Sequence, residues 1–437
     1  MMRRWTTALA VTCALTWAGA PLAQEMPAGN TLTIPEAIEL AWRNNIQSIR
    51  QEDNLQLAQA QKVGSRESYL PSVSWSGSWA RSSPVQLAFI NDELVELKDF
   101  YRFGFQASQE IFNGFRYIHA PRASSAALRA SEYQLRSTRQ QLALDTKRSC
   151  YDLIKAQMLA DVQLRAVKRS EEQLETSNAR YELGSASMSD FLKSKVQLGT
   201  DSLELIRREN AVQVSRATLN NQLGLAVDRA TEIDARLEFE PYPLPSREAM
   251  NAALDTHPDV LNAAYSRESA GHDVGTARSA RFPSISAFAN YSYSTAVFPD
   301  AFEDITSADN ASFGLSFDYT LFSGFSTTSQ VRQAKVRRHT AEAELAQSKR
   351  TVSLAITTAA LGVEEARRRY QVSEQQVQSA QEDLNIAQEK YNLGAATILD
   401  ILNAQVSLSQ SETAKIEAVF DYNLAVADLE KAMGGGD

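Results

Sequence analysis

The 437-residue chain carries 53 Asp and Glu against 44 Lys and Arg, a formal net charge of −9 at pH 7. That acidic surplus repels a phosphate backbone and excludes a nucleic-acid-binding role. Two cysteines and four scattered histidines (His119, His257, His272 and His339) offer neither a disulfide framework nor metal-ligand spacing. With no nucleophile motif and no phosphate-binding loop either, there is no catalytic residue, cofactor or metal site to nominate, and the chain does not read as an enzyme.

Arg3 and Arg4 precede an apolar run from Ala8 to Ala20 and small residues at Ala18, Ala20 and Ala23, the layout of a secretory signal peptide over 1–23. Cys13 follows Ala10, Val11 and Thr12, which is not a lipoprotein cleavage box. Losing Arg3 and Arg4 would take the net charge from −9 to −11 (−9 − 2). Beyond this segment no apolar run reaches the roughly 18 residues of a transmembrane helix. The chain is therefore expected in an envelope compartment, either soluble or integrated without helices. Cys150 lies in a helical pattern and reads as a small buried hydrophobe.

From there the pattern runs through one structural repeat (24–240), a linker marked by Pro241, Pro243 and Pro245 (241–245), and a second repeat (246–437). EAIELAWRNN (36–45) aligns with EAMNAALDTH (248–257) at an offset of 212, as SRESYLPSVSW (65–75) does with ARSARFPSISA (277–287). FGFQASQEIFNGF (103–115) aligns with FGLSFDYTLFSGF (313–325) at 210. In each repeat two helical patterns (35–45 and 46–68; 247–256 and 258–280) end near Pro71 or Pro283. The hydrophobic period then changes from 3.6 to 2, predicting strands at about 72–82 and 101–112, and at about 284–294 and 312–322, joined by long loops (83–99; 295–310).

One face of these strands is apolar or glycine, the other largely Ser, Gln or Asn, with Phe288 breaking the polar face. Two readings fit: a soluble sandwich with an apolar core, or a membrane barrel with an apolar face toward lipid. Four strands cannot close a barrel alone, so a membrane reading requires several chains to share one. Trp75, Trp79, Tyr101, Tyr291 and Tyr293 would then suit the interface girdles.

After Gly114-Phe115, with Pro121 at the expected helix start, 122–183 contains neither Gly nor Pro, and its counterpart 326–393 is interrupted only by Gly362. Such helices need coiled-coil support, and Leu128, Leu135 and Leu142 repeat every seven residues. Return helices are predicted at 189–223 and 397–433. The turns RYELGSASMSDFL (180–192) and KYNLGAATILDIL (390–402) match at Tyr181/Tyr391, Gly184/Gly394 and Asp190/Asp400. The glycines suit a left-handed helix terminus, and Ser187 with Asp190, like Thr397 with Asp400, has capping-box spacing.

This ordered recurrence over 31–434 resembles the TolC family of outer-membrane efflux proteins. The resemblance implies a mainly α fold with a β-barrel portion: long helical coiled-coil hairpins, four transmembrane strands per chain, a homotrimeric twelve-stranded barrel in outer-membrane lipid and an α-helical tunnel in the periplasm. It implies an exit duct for a tripartite efflux pump or type I secretion, docked through a periplasmic adaptor (membrane fusion protein) to an inner-membrane RND or ABC transporter. By alignment, Asp400 takes the place of the first constricting acid and Asn403 that of the second. A latch maps to Tyr391 and Asp190, whereas the second latch position is Ala396, opposite Ser189. Gly184 and Gly394 mark the hairpin-tip turns implied to dock the adaptor. The competing reading is a periplasmic coiled-coil adaptor or structural protein without channel activity.

Overall fold

The computed structural model describes residues 31–90, 93–295, 298 and 310–435, with backbone alone for 84–98. The expected signal segment 1–23 and most of the expected loop 295–310 lie outside the described residues. The first half comprises β1 (Thr31–Leu32), α1 (Ile34–Asn44), α2 (Ile46–Gly64), β2 (Ser72–Ile90), β3 (Glu93–Asn113), α3 (Arg116–Glu182) and α4 (Met188–Gln222). The second comprises β4 (Glu232–Ile233), α5 (Arg247–Thr256), α6 (Pro258–Ser279), β5 (Ser284–Thr295), β6 (Asn310–Asp318), α7 (Ser326–Asn392) and α8 (Ile398–Ala432). α3 and α7 are each 67 residues, α4 and α8 each 35. At 1.5 Å per residue the long helices span about 100 Å.

Helices of that length hold because each is flanked along its course by shorter ones set end to end. α4 and α2 both pack on α3, and they meet where Asn45 Nδ2 donates to the Gln222 carbonyl at 3.1 Å. α8 and α6 meet in the same way: Gly434 lies against Pro258 and His257, and its carbonyl accepts from Gln140 Nε2 at 2.9 Å. Both α8 and α6 touch α3 as well as α7. The helices therefore follow one another as α4–α3–α8–α7 toward the turns and α2–α3–α6–α7 toward the strands. One lateral edge is α4 with α2; the other is α7.

The densest core sits at these junctions, where Leu142, Leu153, Leu219 and Leu223 close over Ala37, Ala41 and Cys150. Residues 234–246 cross this region as an extended strap, which contains the Pro-rich linker. Tyr422 Oη donates to the Glu240 carbonyl at 2.9 Å and accepts from the Tyr242 N–H at 2.8 Å. Phe239 stacks on Tyr370 at 4.2 Å and lies 4.5 Å from the Tyr422 ring.

The strands form an antiparallel sheet of order β2-β3-β5-β6. Trp75 pairs with Phe105, Trp79 with Tyr101, Phe105 with Tyr291 and Ala287 with Leu315, so these side chains from all four strands share one face. The two hairpins have the same register: Ser72 faces Ser108 as Ser284 faces Asp318. Phe288, on the polar face, stands opposite Gly314, where a Cβ would come within 3.0 Å of its ring. The missing side chain makes room for the ring.

Three boundaries differ from the sequence expectation, each for a local reason. The segment expected as a loop over 83–99 is largely hairpin: the ladder resumes at Gln86↔Leu97 and runs to Ile90↔Glu93. Its interruption between Arg81 and Gln86 contains Pro84, which has no N–H to give a ladder. The last strand ends at Asp318 rather than 322, because its partner Ser284 begins β5 directly after Pro283 and no neighbour within the chain extends the pairing. α3 starts at Arg116, placing Pro121 inside the helix. The Tyr117 carbonyl, which loses its i+4 donor to that proline, accepts the Tyr69 hydroxyl instead, while Asn113 Oδ1 accepts the Tyr117 N–H at 3.0 Å.

Each strand-to-helix corner uses two consecutive left-handed residues, Gly114 (φ 66°) with Phe115 (φ 70°) and Gly324 (φ 57°) with Phe325 (φ 67°). A phenylalanine is strained there, and packing holds it: Phe115 meets Phe112 and Phe282 edge-on at 5.3 and 5.8 Å. The two glycines differ in surroundings. A Cβ on Gly114 would lie 2.3 Å from the Ser279 carbonyl oxygen, whereas one on Gly324 meets nothing within 4 Å. Gly324→Ala should therefore cost about 1 kcal/mol and Gly114→Ala at least about 3 kcal/mol. Thermal loss of helical ellipticity in detergent measures both, and equal shifts would contradict the geometry.

Candidate functional site

The two helical turns lie at the far end of α3 and α7 from the sheet. Each long helix terminates in the same way: the Gly184 N–H donates to the Tyr181 carbonyl at 2.9 Å and the Ser185 N–H to the Arg180 carbonyl at 2.8 Å. At the second turn Gly394 bonds Tyr391 at 3.1 Å and Ala395 bonds Lys390 at 2.8 Å. Both glycines are left-handed, with φ of 72° and 77°. This paired closure satisfies helix-terminal carbonyls and reverses the chain. Leu183 and Leu393 are left projecting, 82% and 84% exposed.

The two aspartates at matching places in the repeats both cap the returning helices, but differently. At the first turn the cap is reciprocal: Asp190 N–H donates to Ser187 Oγ at 3.2 Å, and Ser187 N–H to Asp190 Oδ2 at 3.3 Å. At the second, Asp400 Oδ2 accepts both the Thr397 N–H at 2.7 Å and the Thr397 hydroxyl at 2.8 Å. Those two bonds, backbone first, hold the Asp400 carboxyl below the ordinary aspartate value of 3.8, with Lys390 adding to the effect. Asn403 is exposed one turn further along α8.

The residues mapped to a latch are not joined within the chain. Tyr391 is only 8% exposed and packs with Leu384, Ile398 and Ile401 inside the second hairpin, while half-buried Ala396 rests on the same cluster. No hydrogen bond of the described residues links Tyr391 to Asp190 or Ser189 to Ala396. The contact between the two turns comes from Arg180. Its Nη2 donates to Asn392 Oδ1 at 2.8 Å, its Nη1 reaches the Tyr391 carbonyl at 3.4 Å, and its guanidinium lies 4.6 Å from the Tyr391 ring centre. Sequence reasoning missed this residue. Its only local mark is a basic side chain in the last turn of a helix, and its partners are 211 and 212 residues away.

The seams behind the turns also differ in chemistry. Ser177 and Ser194 are fully buried between α3 and α4, with their hydroxyls 2.9 Å apart, and Gln173 Nε2 donates to Ser177 at 3.2 Å. At the matching places in the second hairpin stand Ala387 and Ala404, in an apolar cluster with Leu384, Leu402 and Leu408.

Among the described residues no helix is long and apolar enough to cross a membrane. The chain instead presents an exposed aromatic sheet face: Trp75, Trp79 and Phe105 are exposed, while Tyr101, Tyr291 and Tyr293 are partly so. A sheet of this kind at one end of hairpins about 100 Å long defines an envelope protein of the channel-and-tunnel class. The outer membrane efflux protein family matches residues 38–225 and 249–435, and the chain belongs to it. The outer membrane efflux protein BepC of Brucella suis biovar 1 is 24% identical over 424 residues, covering 97% of this chain and 90% of that protein. The outer membrane protein TolC of Vibrio cholerae is 23% identical over 376 residues, covering 85% and 84%. Among solved structures, the Campylobacter jejuni CmeC outer membrane channel superposes with a TM-score of 0.80 at 19% identity, covering 92% of this chain and 86% of that one. The chain is thus a TolC-family protein of the outer membrane, which sets aside the adaptor alternative and the soluble sandwich.

The caps carry a pH dependence of their own. Because the Asp400 carboxyl titrates below its ordinary value, its cap is fully present above that value and is lost as pH falls through the lowered one. The protection factors of amides at the start of α8 should therefore hold down to about pH 4 and fall only below it. Thr397→Val, which removes the hydroxyl donor, should move that loss to higher pH.

Proposed function

We propose that three copies of this chain form a passive outer-membrane exit duct, closed at rest near the hairpin turns. A periplasmic adaptor and an inner-membrane RND or ABC transporter would open it and supply the energy. The observation that carries this reading is the pair of free sheet edges. β2 and β6 are each paired on one side only, and hydrocarbon does not tolerate an open row of backbone amides and carbonyls.

The internal repeat states how those edges meet. β5 corresponds to β2 at an offset of 212, and β6 to β3 at 210. The observed β3–β5 pairs therefore predict β6 paired with β2 of a neighbouring copy. Phe105↔Tyr291 becomes Leu315 opposite Trp79, Gln109↔Ala287 becomes Tyr319 opposite Trp75, and Phe112↔Ile285 becomes Phe322 opposite Val73. Every one of these puts apolar against apolar on the outward face. Three chains of four strands each give a twelve-stranded ring, with Trp75, Trp79, Tyr101, Tyr291 and Tyr293 toward the lipid and its interfaces. The helical edges agree, since α4 exposes Leu192, Val196, Leu203 and Ile206, and α7 exposes Leu354, Leu361 and Val372.

At the other end, Asp400 would present one carboxylate per chain to the narrowing, with Asn403 replacing a second charge by an amide. Gly184 and Gly394, with projecting Leu183 and Leu393, form the turns offered to the adaptor. Tyr391 contributes to closure from inside the second hairpin. The Asp190, Ser189 and Ala396 positions leave its restraint to contacts other than the expected hydrogen bonds.

Two experiments test this. Oxidised Leu315→Cys/Trp79→Cys protein should run as a covalent trimer on denaturing gels, and a pair shifted by two residues, Leu315→Cys/Gly77→Cys, should not. A monomer under both conditions would remove the ring. In planar bilayers Asp400→Ala should weaken cation preference and relieve block by multivalent cations. Conduction indistinguishable from the parent would take Asp400 out of the constriction.

A further inference from the structure

Arg180 occupies a place in both turns at once. Its carbonyl accepts the Ser185 N–H at 2.8 Å and the Ser185 hydroxyl at 3.0 Å, so its backbone closes the first turn. Its side chain runs the other way, to the end of α7. A helix C-terminus carries a partial negative charge, which favours a cation with several donors even where the last carbonyls are already paired. The guanidinium meets it with a second, longer bond to the Tyr391 carbonyl and a bond to the Asn392 side-chain oxygen, and it sits over the Tyr391 ring at 4.6 Å from the ring centre. The equivalent residue in the second repeat is Lys390, whose recorded influence is on Asp400 within its own hairpin. The contact is therefore one-way: the first turn holds the second.

Tyr391 in turn is packed on Ile398 and Ile401, two residues before and one residue after Asp400 in the first turn of α8. A displacement of the first turn is transmitted through Arg180 to Tyr391, and from Tyr391 to the segment that bears the carboxylate. We propose that Arg180 is a positioning residue that couples the two turns of each chain, so that a partner moving the exposed 183–185 segment releases the second hairpin. This rests on the reading of the turns as the closed end of a duct.

The test uses the assembled full-length protein in planar bilayers, scored as open probability. Arg180→Ala should raise it about tenfold, the scale of losing one charge-assisted hydrogen bond. Asn392→Ala removes an exposed side chain only, so it keeps the test alive should Arg180→Ala fail to assemble; it should raise open probability in the same direction. The double variant should exceed neither single variant by the product of their effects, and Arg180→Glu with Asn392→Lys should return toward the parent. A purely structural role would lower the melting temperature of the assembly without that rescue.

Parent-like conduction in both single variants, or fully multiplicative effects, would overturn the coupling. If Asp400→Ala still alters cation preference in that case, the constriction stands and only the coupling falls. If Asp400→Ala is silent as well, both readings fall together.

Discussion

Backbone groups without partners cost several kcal/mol each in hydrocarbon, and that constraint organises this molecule more than any single side chain does. The sheet of one chain ends on β2 at one side and β6 at the other. Because the chain is a repeat, each free edge is the image of an edge already paired inside the chain. In the proposed ring the two would be complementary to each other and not to themselves, as a closing head-to-tail interface requires. The helical body obeys the same rule, with α4 and α2 on one flank and α7 on the other. The internal duplication thus supplies both halves of one interface from a single sequence.

Helices about 100 Å long raise a second requirement, since a lone helix of that length has no tertiary support. End-to-end stacking meets it with short elements. Asn45 on Gln222, and Gly434 on Pro258 and His257, are the same joint in the two repeats. Left-handed glycines at 224 and 434 end α4 and α8 so closely that a Cβ on Gly224 would lie 2.8 Å from that of Asn44. The strap from 234 to 246 crosses this level, and Phe239, Tyr370 and Tyr422 fix it by ring contact and hydrogen bonds. The turns and the sheet project from this joint in opposite directions.

Much of this was legible from pattern. The change from a 3.6 to a 2 period located the strands, and the two-offset recurrence located the repeats, because both signals are carried by many residues. The capping boxes at Ser187–Asp190 and Thr397–Asp400 were legible because a cap is local. What escaped was decided by tertiary contact. Pro121 reads as a helix start until Tyr69 supplies the donor it lacks. Phe115 and Phe325 in the left-handed region leave no trace in sequence, since nothing but ring packing makes the conformation tolerable. Arg180 is one of many basic residues on long helices, and its role follows from which two turns the fold sets side by side.

The two hairpins repeat the same geometry with opposite seams, and that difference has a physical consequence. Sliding one helix past another in the first hairpin separates Ser177 from Ser194 and leaves buried hydroxyls without that partner. In the second, the seam of Ala380, Leu384, Ala387, Leu402 and Leu408 carries no such penalty, because apolar surfaces are non-directional and tolerate a shift in register. Polar groups buried in a coiled-coil seam are known to specify register at a cost in stability. On the proposed reading of the turns as the closed end of a duct, the first hairpin would serve as the frame and the second as the part that shifts, held at its end by Arg180 and Tyr391. Among the described residues Asp190 bonds within its own cap, and the end of α7 is met instead by the Arg180 guanidinium.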